Sequence, residues 1–216
     1  MNKTVFITGA AKRIGKAIAL TFKDLGWNII IHYNSSKKDA DELANKINKD
    51  NPDTARTVQG DLDKEADITK ILNDIDDIFP SLDLLVNNAS TFYPTPIEEI
   101  SDDHWEKLIG SNLKGPLFLI QGLKDKLKAS NGSIINITSL GAELGFPNNP
   151  SYQMSKAGLR QLTKALARDW GEFGIRANNI CPGYIKTAMT IKSFNNSKLN
   201  NQRSDNTLLK RWGEPT

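Results

Sequence analysis

Short apolar runs alternate along this chain with longer stretches in which apolar residues recur every three or four positions, and the two periods predict strands and amphipathic helices in turn. Residues 4–8 read as a first strand, with a helix to about Leu25; residues 28–33 as a second, with a helix over 37–49; residues 55–60 as a third, with a helix over 64–78. Residues 83–89 predict a fourth strand. Residues 101–128 predict one long helical region perturbed in its middle by Pro116, which has no amide hydrogen for the preceding turn. A fifth strand over 132–139, a helix over 151–170 and a sixth strand over 175–180 follow, while the Asn-, Ser- and Lys-rich stretch 192–206 reads as a loop-like insertion. Such alternation implies right-handed βαβ crossovers: an α/β fold, a doubly wound parallel sheet with helices on both faces, formed as one domain over 1–216.

Composition narrows the class. With 216 residues, 38% hydrophobic and 25% charged, the chain suits a single soluble α/β domain with a sizeable core. No apolar run is long enough to span a membrane, and the first strand pattern begins within a few residues of Met1, so a cytoplasmic protein without membrane partners is expected. The net charge of +3 comes from lysines scattered among acids, as over 37–50, which reads as a solvated surface and not a nucleic-acid face. Two histidines and one cysteine make no metal site, and Cys181, ending an apolar strand, reads as a packed side chain.

Candidate chemistry centres on Ser151-Tyr-Gln-Met-Ser-Lys156. Tyr152 and Lys156 stand four apart on a helix, so they share one face, and an ammonium beside a phenol favours phenolate. Alone the spacing is weak, since a solvated Tyr/Lys pair is common. Two other stretches add weight. The strand Gly132-Ser-Ile-Ile-Asn-Ile-Thr-Ser139 ends on a hydroxyl thirteen residues before the tyrosine, and Thr4-Val-Phe-Ile-Thr-Gly9 runs into Gly9-Ala-Ala-Lys-Arg-Ile-Gly15 and a helix, the turn that seats a dinucleotide pyrophosphate. Taken singly, these glycines fit a plain tight turn equally well.

With Asn87-Asn-Ala89 and Pro182-Gly183, these motifs together resemble the short-chain dehydrogenase/reductase family over residues 4–215. The resemblance implies a Rossmann-type sheet and hydride transfer at nicotinamide C4, with Tyr152 as proton donor or acceptor. It further implies that Lys156 lowers the tyrosine pKa and holds the ribose, that Ser139 bonds the developing oxyanion, and that Asn112 anchors a water linking Lys156 to solvent. The implied cofactor residues are Gly9, Lys12, Arg13, Ile14 and Gly15 at the phosphates; Tyr33, Asn34, Ser35 and Ser36 at the adenosine ribose; Asp61 and Leu62 at adenine; Asn88, Ala89 and Ser90 beside the nicotinamide ribose with Tyr152 and Lys156; and Pro182, Gly183, Ile185 and Thr187 at the nicotinamide end. Tyr33 stands where NAD-specific members carry an acid, and no carboxylate follows until Asp39, so NADP is favoured.

The halves of the chain point to different subfamilies. Thr8-Gly-Ala-Ala-Lys-Arg-Ile-Gly15, with Arg13 where most members carry glycine, and Asn87-Asn-Ala-Ser-Thr-Phe-Tyr-Pro-Thr-Pro96 look like the pteridine reductases, which implies that Phe92 stacks a flat substrate with Arg13 nearby. Residues 150–158 and 175–183 look like carbonyl, 3-oxoacyl and polyol members. The reading is an NADP-dependent reductase of a small-molecule carbonyl or imine; the alternative is a cofactor-binding subunit without turnover, or a fragment. Family members usually continue through one more helix and a seventh strand. Without them the sixth strand is an open edge, and the expected assembly is at most a homodimer through 101–128 and 151–170, with a tetramer doubtful.

Overall fold

The computed structural model describes residues 2–215. Six strands, β1 (Thr4–Ile7), β2 (Asn28–Tyr33), β3 (Ala55–Gln59), β4 (Leu84–Asn87), β5 (Ser133–Ile137) and β6 (Arg176–Ile180), form one sheet in the order β3-β2-β1-β4-β5-β6. All five pairings are parallel. Side chains alternate between faces along a strand, and both faces are covered, which is why the strands read as nearly continuous apolar runs. Val5, Ile7, Ile29, Ile31 and Val86 pack one face against α1 (Arg13–Asp24) and α2 (Lys37–Asp50). Phe6, Ile30, Leu85 and Ile134 pack the other against α3 (Glu65–Ile78) and later helices. The chain reverses its winding between β1 and β4, and a doubly wound sheet opens its ligand crevice at the carboxyl ends of such strands.

The long helical region expected over 101–128 is broken. It comprises α4 (Asp102–Ile109), a π-helical stretch (Gly110–Lys114), α5 (Gly115–Gly122) and α6 (Lys124–Ala129). Proline's ring crowds the carbonyl four residues back and offers that carbonyl no hydrogen; widening the turn relieves the crowding, and the Gly115 N–H reaches the Gly110 carbonyl five residues away. Ser101 caps α4 by accepting the His104 N–H.

Helix α7 (Pro150–Trp170) is held to the sheet by a buried polar ladder. Asn87 Nδ2 donates to Asn136 Oδ1 (2.8 Å), Asn136 Nδ2 to Thr163 Oγ1 (2.7 Å), and Thr163 Oγ1 to Asn179 Oδ1 (2.7 Å). Such a chain tolerates no slip of the helix along the strands, because one residue of displacement would strand several buried polar groups. It therefore fixes the height of Tyr152 and Lys156 above the sheet.

Residues 192–206 are not the loop expected from their composition. They form α8 (Ile191–Phe194) and α9 (Ser197–Asp205), with Asn196 capping α9 by accepting the Leu199 N–H at 3.1 Å. The anchorage is remote in sequence: Phe194 stands edge-on to Trp212, ring centroids 5.4 Å apart. β6 is the outer strand as expected, and Ile180 is 49% exposed. Cys181 is also exposed, correcting its reading as a packed residue, because among the described residues no strand pairs with the outer side of β6; its thiol donates to the Ser139 carbonyl. No helix among the described residues is long and apolar enough to cross a membrane.

Candidate active site

One cleft of about 820 Å³ collects the chemistry. Every residue proposed from the sequence lines it except Asn112, which stands behind its wall.

The phosphate end is shaped by two glycines. Gly9 has φ +62°, a left-handed conformation, and a Cβ there would lie 2.9 Å from the Ala89 backbone; a Cβ on Gly15 would collide with the Gly9 carbonyl and the Asn88 amide. Helix α1 starts with no side-chain cap and no acid in its first turn, so its leading N–H groups are left for an anion. Arg13, at φ +54°, occupies the backbone conformation that glycine takes most easily. A dinucleotide pyrophosphate fits this turn: close backbone approach, free amides and two cationic side chains, Lys12 and Arg13, on the cleft.

The turn is also pinned from the side. His32, 2% exposed, accepts the Gly9 N–H at Nδ1 (3.1 Å), which leaves Nε2 to donate to the Gly60 carbonyl (3.0 Å). Burial pushes its pKa down to about 4, so the ring is neutral and this tautomer is set. Thr8 Oγ1 accepts the N–H groups of Asn88 and Ala89, both at 2.9 Å, and Asn88 Nδ2 donates to the Thr8 carbonyl, joining the ends of β1 and β4.

At the adenosine end, Asn34, Ser35 and Ser36 line the cleft with Asp61 and Leu62. Tyr33 reaches it too but is only 8% exposed, its ring packed into the core beneath. Lys12 pairs with Asp39 (2.9 Å) and Lys37 with Asp41 (2.6 Å), so neither ammonium is uncommitted.

Ser139, Tyr152 and Lys156 meet at the far end of the cleft. Lys156 is 1% exposed and donates to the Ile137 carbonyl (2.9 Å); with no carboxylate beside it, burial pulls its pKa down to about 8. Tyr152 moves the opposite way from expectation. Burial raises its pKa, the Ser139 and Ser90 hydroxyls draw it partly back, and Lys156 is not among the causes. The lysine nitrogen lies 5.8 Å from the phenol ring centroid and is turned to a backbone carbonyl, so desolvation wins. Phe92 stands edge-on to Tyr152, centroids 5.0 Å apart and planes at 84°.

Asn112 lies in the π-helical stretch, fully buried. Its Oδ1 accepts from the Thr91 N–H (2.8 Å), and its Nδ2 donates to the Thr91 carbonyl (2.9 Å) and Ser155 Oγ (3.2 Å). The side chain thus ties the loop after β4 to the helix carrying Tyr152. Its main-chain carbonyl would bond residue 116 in an α-helix, and Pro116 has no N–H to give.

Several site residues escaped the sequence reading. Gln153, inside the Tyr-x-x-x-Lys stretch, accepts the Phe146 N–H (2.9 Å) and donates to the Phe146 carbonyl (2.7 Å), holding the loop before α7. Arg203 and Tyr184 line the cleft from the segment after β6. A histidine inside an apolar strand was a usable signal for His32; nothing local marked Arg203.

The short chain dehydrogenase family pattern matches residues 3–198. The 3-oxoacyl-(acyl-carrier-protein) reductase FabG of Staphylococcus epidermidis is 32% identical over all of this chain and 88% of its own, and that of Staphylococcus aureus 31% over all of this chain and 87% of its own. A putative gluconate dehydrogenase from Agrobacterium tumefaciens superposes with a TM-score of 0.93 at 28% identity, covering 99% of this chain and 84% of that one. A gluconate 5-dehydrogenase from Burkholderia cenocepacia, solved in complex with NADP and tartrate, gives 0.91 at 28% identity, with 100% and 84% covered. The six-stranded sheet, the glycine turn and these likenesses agree: the chain belongs to the short-chain dehydrogenase family, an oxidoreductase of the kind that uses a nicotinamide dinucleotide, NAD(P).

Proposed function

We propose that the protein is an NADP-dependent reductase of small-molecule carbonyl compounds. The observation that carries this reading is that Ser139, Tyr152 and Lys156 line the same cleft as the Gly9–Gly15 turn. NADP, when bound, supplies or takes up the hydride at nicotinamide C4. Tyr152 gives a proton to the substrate oxygen, or takes it back in the reverse direction, and Ser139 donates a hydrogen bond to that oxygen as charge develops. Lys156 holds the nicotinamide ribose and offers a cation to the phenol in the closed, loaded site, where no bulk water competes. The Asn112 carbonyl, left without an α-helical donor, anchors a water that passes protons from Lys156 to solvent.

Preference for NADP over NAD is supported by the absence of a carboxylate over 33–36, by Lys12 and Arg13 at the turn, and by the NADP complex of the Burkholderia relative. The relatives' names favour 3-oxoacyl groups or polyhydroxy acids as the substrate class. A dihydropterin is the second reading, favoured by Phe92 and Arg13 on the cleft. Exposed Trp105, Leu117 and Phe118 on α4 and α5, with Met154 on α7, support a homodimer across those helices.

The test is loss of the reduced nicotinamide's near-ultraviolet absorbance with a panel of 3-oxoacyl thioesters, keto sugars and sugar acids, diketones and dihydropterins, using NADPH and NADH in parallel. Turnover on one class, with Tyr152→Phe lowering kcat roughly 10²-fold or more while NADPH binding is kept, supports the proposal. Cofactor binding without turnover on any class would make the protein a binding subunit. If pterins react, Phe92→Ala raises KM for the pterin and spares small ketones.

A further inference from the structure

Beyond Gly183 the cleft is walled by α8 and α9, and among the described residues of these helices one cation, Arg203, lines the cleft unused by the chemistry above. The Arg203 guanidinium carbon lies 5.3 Å from the Tyr184 ring centroid and 5.6 Å from that of Trp212, two rings that meet each other at 5.6 Å. Trp212 is itself buried and braced by Phe194. Among the described residues, Arg203 has no carboxylate within ion-pair distance and its side chain donates no hydrogen bond. The other cations on the cleft differ: Lys12 is spent on Asp39, and Lys156 on a backbone carbonyl. Arg13 lies at the phosphate turn.

Position separates Arg203 from the phosphate turn. Tyr184 meets Phe146 at 6.5 Å, and the Phe146 backbone is bonded at both N–H and C=O to Gln153, the neighbour of Tyr152 in sequence. The guanidinium therefore belongs to the Tyr152 end, where a substrate must lie. Aromatic faces hold its plane without consuming its N–H donors, which leaves a pre-set fork suited to a carboxylate or phosphate. Gln202 and Asn206, on and just beyond the same helix, line the cleft with it and add neutral donors and acceptors.

We infer that Arg203 is a specificity-determining residue that anchors an anionic group on the substrate, so the carbonyl compound reduced here carries a carboxylate or phosphate. This rests on the reductase reading above and narrows it. Arg203 takes no part in the proton or hydride steps.

The experiment compares matched probes that differ in charge: levulinate with methyl levulinate, and dihydroxyacetone phosphate with dihydroxyacetone. Wild type, Arg203→Lys and Arg203→Met are each saturated with NADPH. The expected result is a kcat/KM for one anionic probe about tenfold or more above its neutral partner, lost in Arg203→Met mainly through KM, with Arg203→Lys intermediate. The pair that shows the effect tells carboxylate from phosphate. Equal losses on anionic and neutral probes would make Arg203 a packing residue, and a weakened NADPH Kd would make it a cofactor contact; either overturns the inference. Calorimetric binding of the same anions to the NADP-saturated protein separates this from failure of the reductase reading. Without turnover, anion binding that Arg203→Met abolishes still upholds the anchor, and no binding to wild type rejects it.

Discussion

The Gly9 amide donates to His32 Nδ1 at 3.1 Å, so a neutral imidazole buried between β1 and β3 holds the backbone of the phosphate turn. Protonation would place a second N–H against the first. The native ring titrates near 4 because it is buried, whereas the unfolded chain takes its proton near 6.5. The unfolded state therefore binds more protons between these values. The associated stability is fully present above about pH 6.5 and is lost as pH falls through 4, by about 3 kcal/mol for this group. Denaturant unfolding of the cofactor-free protein between pH 4 and 7 should show that slope, and His32→Asn, which keeps an acceptor near Gly9, should flatten it. An identical slope in both proteins would place the titrating group elsewhere.

Lys156 titrates with the opposite consequence on the alkaline side. Its native pKa is about 8 against an ordinary 10.5, so the buried ammonium costs stability below pH 8, and the cost is relieved as pH rises toward 10.5. Cofactor-free Lys156→Met should be the more stable protein at pH 7 by about 1–3 kcal/mol, although inactive, and the gap should close at high pH. A gap independent of pH would mean that the lysine is solvated in the native state.

Arg13 holds a left-handed backbone that a side chain resists, at a cost of about 1 kcal/mol. Arg13→Gly should raise the melting temperature by about 2–4 °C while weakening NADPH binding several-fold, because a cation on the cleft is lost. A variant that binds NADPH as tightly as wild type would remove Arg13 from the cofactor site.

Asp39 competes for the Lys12 ammonium, and the exposed pair is held at 2.9 Å. Lys12 in turn keeps the Asp39 carboxyl below its usual range. Asp39→Asn frees the lysine for a cofactor phosphate and removes a repelling charge, so the NADPH-to-NADH ratio of kcat/KM should rise by roughly two- to fivefold at low salt and less at high salt. An unchanged ratio at low salt would mean that Lys12 does not read the 2′-phosphate.

The period of the apolar residues was enough to order six strands and their crossover helices, because parallel strands buried on both faces leave continuous apolar runs and each return helix leaves a stripe. The glycine turn and the Tyr152/Lys156 pair were legible for a similar reason. Close backbone approach and a shared helix face are imposed by local geometry, which spacing records. Tertiary structure alone decided the rest. Residues 192–206 look like a loop in any short window, yet they are helical where Phe194 and Asn196 find their partners. Asn112 falls within the stretch 101–128 that reads as one long helical region, yet it is buried in a turn widened ahead of Pro116 and bonded to Thr91 and Ser155. Lys156 was expected to lower the phenol's pKa, but burial is the largest influence on both groups, raising the phenol and lowering the ammonium, and desolvation depends on every atom packed around a side chain. Arg203 reaches the cleft only because Trp212, nine residues further on, folds back beside Tyr184, and no local period of the sequence records a contact of that kind.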